Sequence, residues 1–146
     1  DAGIDFIRLR PNELSPSGKD FLIGDADDYR GIAKPDLALL RDILDEADRH
    51  GLKIVLTMFS LPGCRWRQHN EGRDDYRLWR DEAFQQQALQ FWRDLATELK
   101  DHPAIVAYNP LNEPHPERGE GITSTRDTAF AGWFANASAD PSVGPS

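Results

Sequence analysis

The sequence of 146 residues contains only one cysteine, Cys64. A single cysteine excludes an intrachain disulfide and a cysteine-rich zinc site. No histidine stands beside Cys64 in the sequence to act as its base. We therefore expect Cys64 to be a half-buried, small apolar residue and not a nucleophile.

Basic residues are also scarce, because 17 lysines and arginines stand against 25 aspartates and glutamates, which gives a formal net charge of -8. An acidic chain is a poor match for nucleic acid or for an anionic membrane surface, since both attract basic faces. Neutral and cationic partners remain open.

Long apolar runs and nucleotide motifs are absent from the sequence. No run is long enough to span a bilayer, and residues 1–5 lack the basic and apolar regions of a signal peptide, so the compartment stays open. No Gly-x-Gly-x-x-Gly follows a strand and no Gly-Lys-Ser/Thr occurs, so nucleotide binding has no support.

Short apolar segments alternate with helical patterns along the chain. Strands are predicted at residues 4–10, at 53–59 and from residue 104 onward. Apolar residues recur at helical spacing between them, from Pro35 to the helix end at Gly51 and again over residues 81–100. The order is therefore βαβαβ, which predicts an α/β fold with parallel strands.

The connections between these elements are unequal. The segments that leave the first two strands, residues 12–34 and 60–79, are long and polar, whereas the returns from helix to strand are short. In parallel α/β folds the site lies at the carboxyl ends of the strands, where the outgoing loops gather. The side chains predicted on that face are Arg8, Trp66, His69, Asn112 and Glu113.

Three aspartates in the first long loop, Asp25, Asp27 and Asp28, invite a calcium site. The glycine and the terminal glutamate that a calcium loop needs at fixed offsets are absent. We therefore predict no metal site, and no cofactor.

The third strand ends abruptly in polar residues. Its apolar run passes into Asn112 and Glu113, and Pro110, Pro114 and Pro116 limit where strand pairing can continue. A carboxylate at the carboxyl end of a strand, on backbone stiffened by proline, is a candidate for a positioned acid or base. The alternative is a strand that runs into an ordinary polar loop.

Five segments together resemble the family 5 glycoside hydrolases, cellulase-like enzymes of the large (β/α)8-barrel clan that includes mannanases and exoglucanases. The similarity runs from about residue 3 to residue 116, and Asn-Glu-Pro behind the third strand is its most specific element. The segments are Ile-Arg-Leu-Arg (7–10), His-Gly-Leu-Lys-Ile-Val-Leu (50–56), Leu-Pro-Gly (61–63), Phe-Trp-Arg-Asp-Leu-Ala (91–96) and Asn-Pro-Leu-Asn-Glu-Pro (109–114).

The resemblance implies a partial (β/α)8 TIM barrel, about strands 2 to 4 with their helices, and hydrolysis of β-linked glycans. It implies that Glu113 is the acid/base and that Asn112 binds the sugar 2-hydroxyl. Arg8 matches the arginine that supports the nucleophilic carboxylate, with Arg10 as the competing choice. A solvated or salt-bridged charge is the alternative for either arginine.

Two departures from the family pattern bear on function. Phe59, which follows the second strand of this chain, stands where many members have a histidine at the end of the family's third strand. The nucleophile of a retaining glycosidase, which must lie about 5 Å from the acid/base, belongs to strand seven of the family and has no match here. Glu117 and Glu120 are near Glu113 in sequence, and we expect both to be ordinary loop charges.

Aromatic residues on the long loops are candidates for stacking on sugar rings, with Trp66 and Tyr76 as the best pair. Trp79 is a weaker candidate because it leads into a helix, and Trp92 is expected in the core. His69 and His115 either line the cleft or lie on exposed loops.

We predict a partial glycoside hydrolase domain over residues 1–136, with a weak helix at 126–136, and a flexible tail over 137–146. The strand-like start at once after Gly3 suggests that upstream sequence is missing. Three strands do not close a barrel, so this sheet would have exposed apolar edges. The alternative function is therefore a non-catalytic carbohydrate-binding or self-associating half-barrel module.

Overall fold

The computed structural model describes residues 3–14 and 20–122 of the chain. The chain divides into two compact units, Asp1–Asn112 and Glu113–Ser146. The predicted helix at 126–136 and the predicted tail at 137–146 lie outside the described residues.

The first unit contains a parallel sheet of three strands in the order β1-β2-β3. The strands are β1 (Phe6–Leu9), β2 (Lys53–Thr57) and β3 (Ile105–Asn109), and both pairs are parallel. The prediction of parallel strands joined by helices is confirmed. Each strand is shorter than predicted, and β2 ends at Thr57, so residues 58–60 are available for other contacts.

Two long helices connect the strands, α1 (Lys34–Arg49) and α3 (Glu82–Leu99). Pro35 lies in the first turn of α1, where its missing N–H has no partner to lose. Asp81 caps α3 by accepting a hydrogen bond of 2.9 Å from the N–H of Ala83. The apolar stripe of each helix is buried, as predicted, at Leu37, Leu40 and Leu44 in α1 and at Phe91, Leu95 and Leu99 in α3.

Short helices occupy segments that the sequence predicted as loop. They are the helix α2 (Arg77–Arg80) and three 3-10 helices, Pro11–Glu13, Arg67–His69 and Pro116–Glu120. Each is too short to show an apolar period, which is why the prediction missed them.

The segment 20–33 also contributes to the hydrophobic core, although its sequence indicated only a loop. Phe21, Leu22 and Ile23 are each at most 1% exposed and pack in the same cluster as the helix stripes. Their backbone turns at Asp20, whose carbonyl accepts hydrogen bonds from the N–H groups of Ile23 and Gly24. Core residues held in a turn carry no periodic signal, so the sequence pattern could not place them.

The two faces of the sheet differ in burial. Ile54 and Leu56 of β2 are fully buried in the cluster with the helices, whereas Val55 between them points to the other face and is half-buried. Its partners across the ladder, Arg8 and Ala107, are exposed. Among the described residues, then, the helices cover one face of the sheet and the other face is open.

Apolar residues of the edge strands are exposed as well, with Phe6 at 63% and Val106 at 57%. Val106 is an extra residue in β3, since Ile105 pairs with Ile54 while Ala107 pairs with the next residue of β2. Within residues 3–14 and 20–122, no helix is long and apolar enough to cross a membrane.

Candidate functional site

The carboxyl ends of the three strands meet around residues 57–60. This segment contains the last residue of β2 and the first residues of the loop that follows it. Thr57 accepts a hydrogen bond of 3.0 Å at Oγ1 from Nε of Arg8 in β1. The carbonyl of Met58 accepts a hydrogen bond of 2.8 Å from the backbone N–H of Asn112, just after β3. One short segment therefore holds both neighbouring strand ends in place.

Arg8 and Asn112 also contact each other directly. Nη2 of Arg8 donates a hydrogen bond to Oδ1 of Asn112, which is 8% exposed. This contact fixes the orientation of the amide: with its oxygen held by the guanidinium, Asn112 presents the Nδ2 donor elsewhere. The structure thus brings together two of the predicted site residues that are far apart in sequence.

Arg10, the competing choice for the role of Arg8, lies elsewhere. Its guanidinium carbon is 4.7 Å from the centre of the Phe59 ring, over the ring face. Of the two arginines, Arg8 is the one hydrogen-bonded to Asn112 and Thr57.

Glu113 begins the second unit, and its backbone is in the left-handed region with φ of 44°. A non-glycine residue there is strained by about 1 kcal/mol. The side chain is exposed. Strained residues of this kind cluster at functional sites.

His115 and Glu117, in the same unit, form a pair with 2.8 Å between Nδ1 and Oε1. Glu117 is only 5% exposed and lies in the 3-10 helix Pro116–Glu120. The prediction that Glu117 is an ordinary loop charge is wrong, because its carboxylate is buried against an imidazole. Glu120 is exposed, as predicted.

Phe59 and Trp66 form a stacked pair, with ring centres 4.9 Å apart and ring planes at 25°. The backbone N–H of Phe59 donates to Oδ1 of Asn12 at 2.8 Å, and the N–H of Trp66 donates to Oγ of Ser60 at 3.0 Å. Sequence reasoning missed Asn12 and Ser60. It registered Phe59 only as a departure from a family pattern, because ring stacking across a loop leaves no periodic signal.

Tyr76 lies in a different setting from Trp66. It lines an open cleft of about 520 Å³ whose other walls are mostly charged. Trp79 is 36% exposed in α2. Trp92 is partly buried and packs edge-on against Phe91, at 5.6 Å, and against Tyr108, at 5.8 Å, so it packs against the core, as predicted.

A network of ion pairs joins the loop after β1 to the loop after β2. Arg65 contacts Asp20 through two hydrogen bonds of 3.1 and 3.0 Å and Asp27 through two of 2.9 and 3.0 Å. Arg77 contacts Asp75 and Asp27. The hydrogen bond from Arg65 lowers the pKa of Asp27 to about 2. The charged network therefore ties the two outgoing loops together.

The aspartates considered for calcium belong to these contacts. Asp25 and Asp27 lie against Arg65, and Asp28 pairs with Arg30. Within the described ranges, no group of at least three His, Cys, Asp or Glu side chains is arranged to hold a metal ion.

Cys64 is half-buried and packs against the core, as expected from sequence. Burial, with a smaller contribution from the charge of Asp75, raises the pKa of its thiol to about 12. A thiol of this kind is protonated at neutral pH and is a poor nucleophile.

His69 lies in the 3-10 helix Arg67–His69 and is partly exposed. Its Nδ1 is buried without a hydrogen-bond partner in the described part of the chain. The structure gives it no contact with Arg8 or Asn112 that would place it in the same site.

Comparison with known proteins identifies one informative similarity. The chain is 32% identical over 95 residues to a β-xylosidase from Phanerodontia chrysosporium, which covers 63% of this chain and 18% of that protein. The chain therefore spans less than a fifth of the length of this curated relative. No protein-family model matches the sequence, and no solved structure matches it. The similarity indicates a relationship to glycosidases without specifying the family.

Proposed function

We propose that this chain is part of a retaining β-glycosidase of the cellulase-like glycoside hydrolase family 5. In this proposal Glu113 is the acid/base, and Asn112 donates a hydrogen bond to the sugar 2-hydroxyl. Arg8 orients Asn112 and faces the nucleophilic carboxylate. Trp66, Tyr76 and His115 contribute to substrate binding.

The hydrogen bond between Arg8 and Asn112 is the observation that carries the proposal. It joins residues 104 positions apart at the carboxyl edge of a parallel sheet, where α/β enzymes have their sites. Because Arg8 donates to the amide oxygen, the orientation of the amide is fixed and its Nδ2 group is available to donate to a ligand. A donor fixed in this way suits a sugar hydroxyl.

The open face of the sheet supports a partial (β/α)8 barrel. In such a barrel the helices cover the outside, and the inward-facing side chains pack against those of the other strands. Here Phe6, Val55 and Ala107 are on the face that the helices do not cover. The three strands would be strands 2 to 4 of the barrel.

Catalysis in this proposal needs a second carboxylate about 5 Å from Glu113. No residue of this sequence matches the nucleophile of the family, so we infer that it comes from polypeptide outside these 146 residues. The similarity to a β-xylosidase favours a substrate that contains β-linked xylose. The acidic net charge of this chain is compatible with a neutral glycan.

Sugar binding and hydrolysis can be tested separately on the 146-residue chain. We expect xylohexaose or cellohexaose to bind in calorimetry, and Asn112→Ala to weaken binding about tenfold, the loss of one hydrogen bond in a partly buried site. Arg30→Ala is the matched control, because the exposed Arg30 pairs with the exposed Asp28 in the described part of the chain. Absence of binding to both oligosaccharides would contradict the proposal.

Hydrolysis of an aryl β-xyloside or an aryl β-glucoside should be negligible. Activity that disappears in Glu113→Gln would support Glu113 as acid/base and would contradict an external nucleophile.

A non-catalytic, self-associating carbohydrate-binding module is the second candidate. The exposed apolar residues of the edge strands, Phe6 and Val106, favour it, because uncovered sheet edges invite pairing with another copy. Sedimentation distinguishes the two functions. A stable dimer that binds sugar supports the module, whereas a monomer or an aggregate supports the partial barrel.

A further inference from the structure

The Phe59–Trp66 stack is held by two polar side chains that are completely buried. Asn12 and Ser60 are each 0% exposed. Each accepts one hydrogen bond from the backbone N–H of one ring-bearing residue, Asn12 from Phe59 and Ser60 from Trp66. The backbone of both rings is therefore anchored by a side chain from a different position in the chain.

Burying these groups is energetically unfavourable unless their hydrogen bonds compensate for it. For Asn12 this compensation is incomplete among the described residues, because its Nδ2 is buried there without a hydrogen-bond partner. The hydrogen bond that Asn12 accepts fixes the backbone of Phe59.

Asn12 and Ser60 also lie next to the strand ends that form the candidate site. Asn12 lies in the 3-10 helix that follows β1, and Ser60 follows β2. Both strands end at the edge where Arg8 contacts Asn112. Trp66 itself is half-buried.

We propose that Asn12 and Ser60 are positioning residues that hold Trp66 against Phe59, so that Trp66 serves as a platform for the apolar face of a sugar ring. Phe59 supports the platform and does not bind the sugar itself, because its ring lies between Trp66 and the guanidinium of Arg10. An aromatic face covers the C–H side of a pyranose, and a ring fixed in advance loses little freedom on binding. The use of the platform for sugar rests on the proposed function. The positioning by Asn12 and Ser60 does not depend on it.

The free protein provides the first test. In the nuclear magnetic resonance spectrum of the 15N-labelled chain, the indole signals of Trp66 should be shifted by the Phe59 ring current. Trp66→Phe assigns them by their disappearance. We expect Asn12→Ala and Ser60→Ala to remove the shift, and Asn12→Asp, which keeps an oxygen acceptor, to retain it.

Tyr29→Phe is the matched control. It removes another hydrogen bond of a buried residue, 2.7 Å from the Tyr29 hydroxyl to Asp94 in α3, and does not touch the stack. It should lower stability, measured by urea unfolding, and leave the Trp66 signals unchanged. Where Asn12→Ala does not fold, Ser60→Ala and Asn12→Asp carry the test.

Calorimetry with xylohexaose provides the second test. Ser60→Ala should weaken binding about fivefold or more, and it should have no further effect in a Trp66→Ala background, because its influence passes through Trp66. Unchanged Trp66 signals in both Asn12→Ala and Ser60→Ala would overturn the inference. Signals that change as expected in a chain that binds no sugar would retain the positioning role and contradict the proposed function.

Discussion

Gly63 is the position where a single methyl group should be most disruptive in the loop that follows β2. Its φ is +71°, and a Cβ built on it would lie 2.5 Å from Cγ and 2.7 Å from Cβ of Phe84. These atoms are next to the backbone of α3, so rotation of the Phe84 ring does not relieve the overlap. Gly63 cannot retreat easily either, because its N–H donates to Ala26 and its carbonyl accepts from Leu78.

The expected effect of Gly63→Ala has two parts. The left-handed backbone destabilises alanine by about 1–2 kcal/mol. Overpacking against Phe84 adds about 1–3 kcal/mol. The free energy of unfolding should therefore fall by about 2–5 kcal/mol.

Gly72→Ala separates these two contributions. Gly72 has a similar φ of +76°, but a Cβ there would meet nothing within 4 Å. Gly72→Ala should therefore lower the free energy of unfolding only by the backbone contribution, about 1–2 kcal/mol. Urea unfolding followed by circular dichroism measures both variants against the parent chain. If the free energy of unfolding falls equally in the two variants, steric overlap with Phe84 does not contribute and the reasoning is refuted.

Two further predictions concern titration. The pKa of Asp27 is lowered by its hydrogen bond with Arg65 to about 2, from 3.8, so its stabilisation is present above pH 3.8 and is lost as pH falls through 2. Because 53% of the Asp27 side chain is exposed, solvent screening limits this to less than about 1 kcal/mol. Urea unfolding at about pH 5 and about pH 2.5 should show a smaller change in Asp27→Asn than in the parent, and equal changes would contradict the assignment. For Cys64, whose thiol pKa is raised to about 12 by burial, labelling with a disulfide reagent near neutral pH should be slow in the folded chain and fast in urea, and equal rates would contradict the burial.

The parts of the fold that could be predicted from sequence are those with local and periodic signals. The stripe that includes Phe91, Leu95 and Leu99 repeats every three to four residues, and Asp81 caps the same helix, so α3 was predicted nearly to its ends. The apolar run of β2 is similarly local. Parallel pairing followed from the alternation of these elements.

The contacts that define the candidate site join residues far apart in sequence, so they carry no local or periodic signal. Asn12 and Phe59 are 47 positions apart, and Arg8 and Asn112 are 104 apart, so no sequence window contains both partners. The resemblance placed Arg8 and Asn112 on one edge, but it offered no signal for Asn12 or Ser60. An isolated Asn or Ser at the end of a strand looks the same whether it is solvated or buried.

Glu113 belongs to the Asn-Glu-Pro motif, which the sequence shows, and its backbone has a positive φ, which the sequence does not reveal. Glycine and asparagine adopt φ of 44° more easily than glutamate, so stability alone would favour either of them at this position. The Pro residues at 114 and 116 restrict the neighbouring backbone and limit its freedom to relax. Leu22 and Glu71 also adopt positive φ, of 68° and 56°, so the strain of about 1 kcal/mol at Glu113 does not by itself assign a function. In the proposed acid/base role, this strained backbone would direct the Glu113 carboxylate toward the glycosidic oxygen.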